Sequence, residues 1–178
     1  MKPNSLQELY IGQLKDLYDA EHQIIKALPK MIGKAASTDL KDALSEHLEV
    51  TQTQATRLEQ IFETLGEKAK AEKCKGMQGI IEEGSDLIAD IKDEDVRDAA
   101  IIAAAQRVEH YEMAVYGTAR TYAGLLGEDH ADKLLQHTLD EEKEADRKLT
   151  ALAEDINVTA SAGATAERTT PTTRRRIA

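Results

Sequence analysis

The chain has one cysteine, Cys74, and no apolar run of the length needed to cross a bilayer. A single thiol closes no internal disulfide, which removes the stapled secreted scaffolds and fits a reducing compartment; Cys74 reads as an ordinary thiol near a loop. A spanning helix needs about 18 or more apolar residues in succession, so a membrane protein is excluded. The start, Met1-Lys2-Pro3-Asn4-Ser5, lacks the apolar stretch of a secretory signal, and the cytoplasm is the expected location. Positive charge is scarce as well. The formal net charge is −10, and the segment after Asn157 carries Arg168, Arg174, Arg175 and Arg176 against Glu167, which puts −13 on the body. A body of that sign repels phosphate backbones, so nucleic-acid binding by the folded domain is not expected. Strand patterning is also missing: no segment alternates apolar and polar residues in competition with the helical period.

What the chain has is that period, four times over. From about Ser5 to Gly33, residues Leu6, Leu9, Tyr10, Leu14, Leu17, Glu21, Ile24, Leu28 and Met31 recur at three- and four-residue steps. Ser5 is the expected N-cap with Glu8 as its capping-box partner, and Pro29 predicts a kink. A short connection at residues 36–39 leads to a second segment ending at Leu65, through Leu40, Leu44, His47, Thr51, Ala55, Leu58 and Phe62. Residues 66–98 form a long crossover with one shorter helix built on Met77, Ile80, Ile81, Leu87 and Ile88. The third segment runs from near Val96 to Leu126, and the fourth from about His130 to Ile156 after the Gly127-Glu128-Asp129 break. Two antiparallel hairpins joined by a long crossover predict an all-α, ferritin-like four-helix bundle over residues 1–157, with a short fifth helix. Residues 158–178 are Ala-, Thr- and Arg-rich without an apolar stripe and predict a disordered tail.

Acidic side chains occupy the apolar stripes. At about 100° per residue, Glu112 falls in the middle of the stripe of Ile101, Ala105, Val108, Val115, Ala119 and Ala123, with Glu109 on its edge. Glu142 falls in the middle of the stripe of Leu135, Ala145, Leu149 and Leu152, with Asp146 on its flank. Glu21 lies near the centre of the first stripe, and His47 faces inward with Thr51 and Gln54. Measured from the hairpin loops, Glu21, His47, Glu112 and Glu142 meet at mid-height. Five carboxylates and one imidazole at one depth repel unless protonated or neutralised by cations. Two divalent ions meet that need, with Glu109 and Glu112 placed to bridge or cap them. Oxygen donors with one nitrogen suit iron or manganese, with zinc and magnesium left open. Taken singly, His47 also fits a hydrogen-bonded core histidine, Glu109 and Asp146 fit solvated edge positions, and Tyr116 fits either a donor to the site or a core tyrosine. His22, His110, His130, His137, Glu46 and Glu49 point outward or lie near a helix start, toward solvent.

The runs Tyr18-Asp19-Ala20-Glu21, Ala27-Leu28-Pro29-Lys30-Met31, His47-Leu48-Glu49, Lys73-Cys74-Lys75-Gly76-Met77, Ala103 through Glu112 and Thr138 through Lys143 resemble those of the YciE/YciF-type stress proteins of the ferritin-like superfamily. The resemblance covers roughly residues 5–155. It implies a dimeric bacterial protein with a rubrerythrin-like di-metal bundle, tied to general stress and in some relatives to a manganese-catalase type of activity. The expected function is therefore a di-iron or di-manganese stress protein acting on peroxide or dioxygen. Against this stand a non-enzymatic dimeric stress module with structural or absent metal, and iron oxidation and storage. No glutamate here is followed three residues on by histidine, unlike the Glu-x-x-His pairs usual in ferritin-like centres, and this favours the non-enzymatic alternative.

Overall fold

The structure, a computed structural model, describes residues 3–168, with side chains to residue 162. Five helices follow in order: α1 (Leu6–Lys34), α2 (Thr38–Thr64), α3 (Lys75–Ala89), α4 (Glu94–Leu126) and α5 (Asp129–Arg168). No strand occurs among the described residues. No helix among them is long and apolar enough to cross a membrane.

Local chemistry sets the helix ends. Ser5 Oγ accepts from Glu8 N–H at 3.1 Å, and the Glu8 carboxylate turns back to accept from Asn4 N–H at 2.7 Å. This is the expected capping box with its return bond displaced by one residue. Asp93 Oδ1 accepts from Val96 N–H at 3.0 Å, and Glu94 and Asp95 in the first turn of α4 favour its positive dipole end. Gly127 ends α4 at φ 77°, a conformation costly for any residue with a Cβ. Pro29 lies inside α1, which continues to Lys34 beyond it.

Helices α1 and α2 pack as one hairpin and α4 and α5 as the other; α1 lies on α4 and α2 on α5. The crossover helix α3 covers the seam between α1 and α4. Its fit depends on Gly84, where an added Cβ would stand 3.0 Å from Ala104 Cβ. The expected ferritin-like bundle with its short fifth helix is what forms.

Three features depart from expectation. Cys74 is not a bystander near a loop: its Sγ caps α3 by accepting from Met77 N–H at 3.3 Å. It also lies 3.0 Å from Tyr111 Oη. Tyr111 gives its proton to Asp16 Oδ2 at 3.1 Å, which leaves the thiol as donor to the tyrosine. Burial pushes this thiol up in pKa, so it is a structural rather than a reactive cysteine.

The second departure is Asp98, which is buried. Its two oxygens accept from Ala36 N–H at 2.8 Å and Ser37 N–H at 2.7 Å, and so hold the α1–α2 loop against α4. Asp98→Ala leaves both amides without these partners and is expected to cost about 2–4 kcal/mol. A urea midpoint within experimental error of wild type would show that the clamp carries no stability.

Third, α5 passes the expected end at Ile156 and continues to Arg168. Alanine-rich sequence extends an existing helix at little cost even without a face to bury. The remainder of the expected tail, residues 169–178, lies outside the described residues. Val158 is 67% exposed and its neighbours on this extension are mostly exposed. Deleting residues 158–178 is therefore expected to move the melting temperature by less than about 2 °C. A larger fall in a thermal melt would mean that the segment packs on the bundle.

Candidate metal centre

The apolar core is split in two. One cluster gathers Ile24, Leu28, Leu40, Leu44, Ile101, Ala105, Val108 and Leu149. The other gathers Tyr10, Leu14, Leu17, Leu58, Ile61, Phe62, Tyr116, Ala119 and Leu135. Between them each bundle helix contributes buried polar residues: Glu21 from α1, His47, Thr51 and Gln54 from α2, Glu109 and Glu112 from α4, Thr138 and Glu142 from α5. The stripe positions of the sequence thus become one polar layer.

His47, Glu109, Glu112 and Glu142 each offer one ligand atom, and these atoms all lie within 4.8 Å of one another. His47 Nε2 stands 3.4 Å from Glu109 Oε1 without hydrogen-bond geometry. Glu21 joins the group from the α1 side and carries the charge of Glu142 and the contact with Glu112. Asp146 is not brought in. Neighbouring α4 takes it instead, with Gln106 Nε2 donating at 3.1 Å and His110 Nε2 standing 3.3 Å from its Oδ1. His110 is itself largely exposed, as its outward position predicts.

Few donors reach these oxygens. Tyr116 donates its hydroxyl proton to Glu21 Oε1, which makes it a partner of the site as well as a core tyrosine. Gln54 Nε2 donates to Glu142 Oε1 and, at 3.2 Å, to Glu141 Oε2. Among the described residues, no donor meets Glu21 Oε2, Glu109 Oε2, Glu142 Oε2 or either oxygen of Glu112. Burial, then the charges of the neighbouring carboxylates, holds Glu21, Glu109 and Glu112 well above the usual carboxylate range. Burial also pushes His47 below its usual value, although Glu142, Glu141 and Glu46 oppose it.

Buried oxygens left without donors cost several kcal/mol unless protonated or bound to a cation. A neutral imidazole with an unpartnered Nε2 beside four such carboxyls is the donor set of a carboxylate-rich metal site. The residues fit a metal.

Two neighbours of the layer were not singled out by the stripe argument. Arg57 grips Glu141, with Nη2 donating to Oε1 at 2.7 Å, and places a positive charge beside the acidic layer. Gln54, recognised only as facing inward, fixes one oxygen of Glu142. On α2 the inward pair three residues apart is Thr51 and Gln54, where a Glu-x-x-His pair would supply two ligands. His47, one turn before Thr51, supplies the nitrogen instead.

The profile of a family described as a domain of unknown function (DUF892) matches residues 5–162. The chain belongs to that family. Protein YciF of Escherichia coli (strain K12) is 45% identical over 154 residues, which cover 86% of this chain and 93% of YciF. The crystal structure of the E. coli stress protein YciF matches with a TM-score of 0.84 at 44% identity, over 86% of this chain and 98% of that one. YcfI of Rhodopseudomonas palustris matches with a TM-score of 0.81 at 46% identity, over 83% and 94% of the two chains. A ferritin-like, diiron-carboxylate protein of Bacillus anthracis (strain Ames) matches with a TM-score of 0.64 over 85% and 99%; at 16% identity it shares the fold alone. The DUF892 fold is thus the ferritin-like bundle that the sequence resemblance implied, and the polar layer lies within the matched region.

Proposed function

We propose that this DUF892 chain holds two divalent ions, iron or manganese, in the polar layer and acts on peroxide or dioxygen as a cytoplasmic stress protein. The observation that carries the reading is the group of four ligand atoms within 4.8 Å, backed by buried carboxylate oxygens that no donor among the described residues reaches. His47, Glu109, Glu112 and Glu142 would hold one ion, and Glu21, buried beside Glu112 and Glu142, would help to hold the second. When bound, such ions supply Lewis acidity and electrons for the reaction of a small oxidant.

The protein's own part is orientation and exclusion. Gln54 holds Glu142, and the Tyr116 hydroxyl holds Glu21, so both carboxylates keep one oxygen fixed and one free toward the layer. The apolar clusters above and below keep bulk water from the layer. His47 and Glu109 line two cavities, one of about 360 Å³ between α2 and α5, which offers the oxidant access, and one of about 420 Å³ between α1, α3 and α4. Glu46, Asp140, Glu141 and Glu144 line the first together with Lys148, and each of these carboxylates is paired with a lysine or arginine.

The test is oxygen release from hydrogen peroxide by protein loaded with manganese and, separately, with iron. Turnover with either metal is the expected result; none at full occupancy of both would remove the enzymatic reading. The second reading, a non-enzymatic stress module, is favoured by Thr51 and Gln54 standing where a Glu-x-x-His pair is usual. The same proposal takes the protein as a homodimer, and a monomer mass by light scattering would remove that part.

A further inference from the structure

The larger cavity near the centre is built unlike a route for peroxide. Its walls are aliphatic: Ile24, Leu28 and Met31 from α1 face Ile80, Ile81 and Ile88 from α3. At about 420 Å³ it falls within the ~300–1,000 Å³ typical of small-molecule sites, whereas peroxide needs a fraction of that. Lys26, Lys30 and Lys34 recur at four-residue steps along α1, line this cavity and are exposed. None of the three ammonium groups pairs with a carboxylate of a described residue. Seven other lysines and arginines of the described residues pair with carboxylates, and this row of three stands without such neighbours in a body of strongly negative charge.

The polarity therefore runs in one direction. Cations stand at the mouth, aliphatic side chains form the walls, and Glu109 with His47 closes the inner end. An anion placed at the inner end would meet Glu109 and the acidic layer behind it. An anion at the mouth meets three ammonium groups, and an apolar chain attached to it lies along the isoleucines.

We propose that this cavity is a binding site for a medium-chain fatty-acid-type carboxylate, with its head at Lys26, Lys30 and Lys34 and its tail toward His47 and Glu109. The site goes beyond the oxidant reading and does not rest on it: its lysines and aliphatic walls lie outside the metal-ligand set, and it meets that set only at His47 and Glu109 at the inner end. Ligand length sets affinity: each methylene buried against the aliphatic walls tightens binding about threefold to fourfold, until the tail reaches the inner end. The lysines add selectivity for the carboxylate over an uncharged head, an effect that salt weakens.

The experiment is titration calorimetry of the full chain, metal-free and manganese-loaded, with hexanoate, octanoate and decanoate below their aggregation limits and with decanol as the uncharged analogue. Two variants accompany it: the triple Lys26→Gln, Lys30→Gln, Lys34→Gln, and Ser85→Trp, which puts an indole at an exposed position lining the cavity. The expected result is saturable binding of one decanoate per chain, tighter by roughly tenfold for each two carbons from hexanoate. The triple variant should weaken decanoate at least tenfold while leaving decanol nearly unchanged, and Ser85→Trp should weaken both. Circular dichroism on both variants checks that each is folded. No saturable binding by wild type in either metal state would overturn the proposal. So would affinity that ignores chain length, or that both folded variants retain. If Ser85→Trp alters the mass measured by light scattering and leaves decanoate affinity unchanged, the cavity is a contact with a second copy and the proposal fails.

Discussion

Glu142→Gln is expected to weaken binding of manganese or iron by at least about 100-fold while leaving the bundle folded. The substitution keeps the side chain's shape and preserves an oxygen for Gln54 to donate to, so packing between the two apolar clusters is retained. What it removes is the carboxylate that belongs to the group of four and that also adds its charge to Glu21, Glu109 and Glu112. Metal content after dialysis against manganese is the readout. Asp146→Asn is the paired comparison and is expected to retain wild-type metal content, because Asp146 is engaged by Gln106 and His110 on the flank. Equal stoichiometry in wild type and Glu142→Gln would take Glu142 out of the ligand set; loss in Asp146→Asn would put Asp146 into it.

Metal is expected to reverse the pH dependence that the site imposes on stability. Without metal, Glu21, Glu109 and Glu112 have folded-state pKa values raised well above the usual range, chiefly by burial. The folded chain then binds more protons than the unfolded chain, in which a glutamate titrates near 4.3. Their stabilising contribution is fully present below about pH 4.3 and is lost as pH rises through the folded values. His47 acts in the opposite sense. Its pKa is lowered, so its contribution is present above the unfolded value near 6.5 and is lost as pH falls toward the folded one. Three carboxyls outweigh one imidazole, and the net effect of the site on the metal-free protein is a fall in stability with rising pH.

Surface carboxylates titrate over part of the same range, so the quantity to measure is the difference between wild type and the triple variant Glu21→Gln, Glu109→Gln, Glu112→Gln. In chelator, wild-type stability relative to this variant should fall between about pH 4.5 and 7, by as much as ~1.4 kcal/mol per pH unit for each proton held only by the folded state. Manganese binds the ionised carboxylates and competes with protons, so the metal-loaded wild type should gain stability with pH over the same interval. Denaturant midpoints across that range give both slopes. Identical slopes with and without manganese would mean that the buried carboxyls and the ion do not share a site.

The residues at the stripe centres were legible in the sequence because a carboxylate in the middle of an apolar face leaves no other direction for its side chain. Glu21, Glu112 and Glu142 are such cases, and equal distances from the hairpin loops put them at one level. Edge positions were not decided by angle. Glu109 turns inward beside His47, whereas Asp146 is drawn aside by Gln106 and His110, and only the packing of α4 on α5 separates the two outcomes. Asp98 escaped notice because an aspartate in the first turn of a helix is ordinary, and its loop partners are 61 and 62 residues away in sequence. Cys74 was hidden by its type, since a thiol is not among the usual capping groups. The extension of α5 carries no apolar stripe to mark it, because an alanine-rich segment continues a helix without one.

The central claim is that the buried polar layer is a metal centre, and metal content tests it most directly. The full chain, purified without chelator, incubated with manganese or iron and freed of excess ion, is analysed for elements against protein concentration. The account predicts about two transition ions per chain, lost in Glu142→Gln; fewer than one ion per wild-type chain would contradict it.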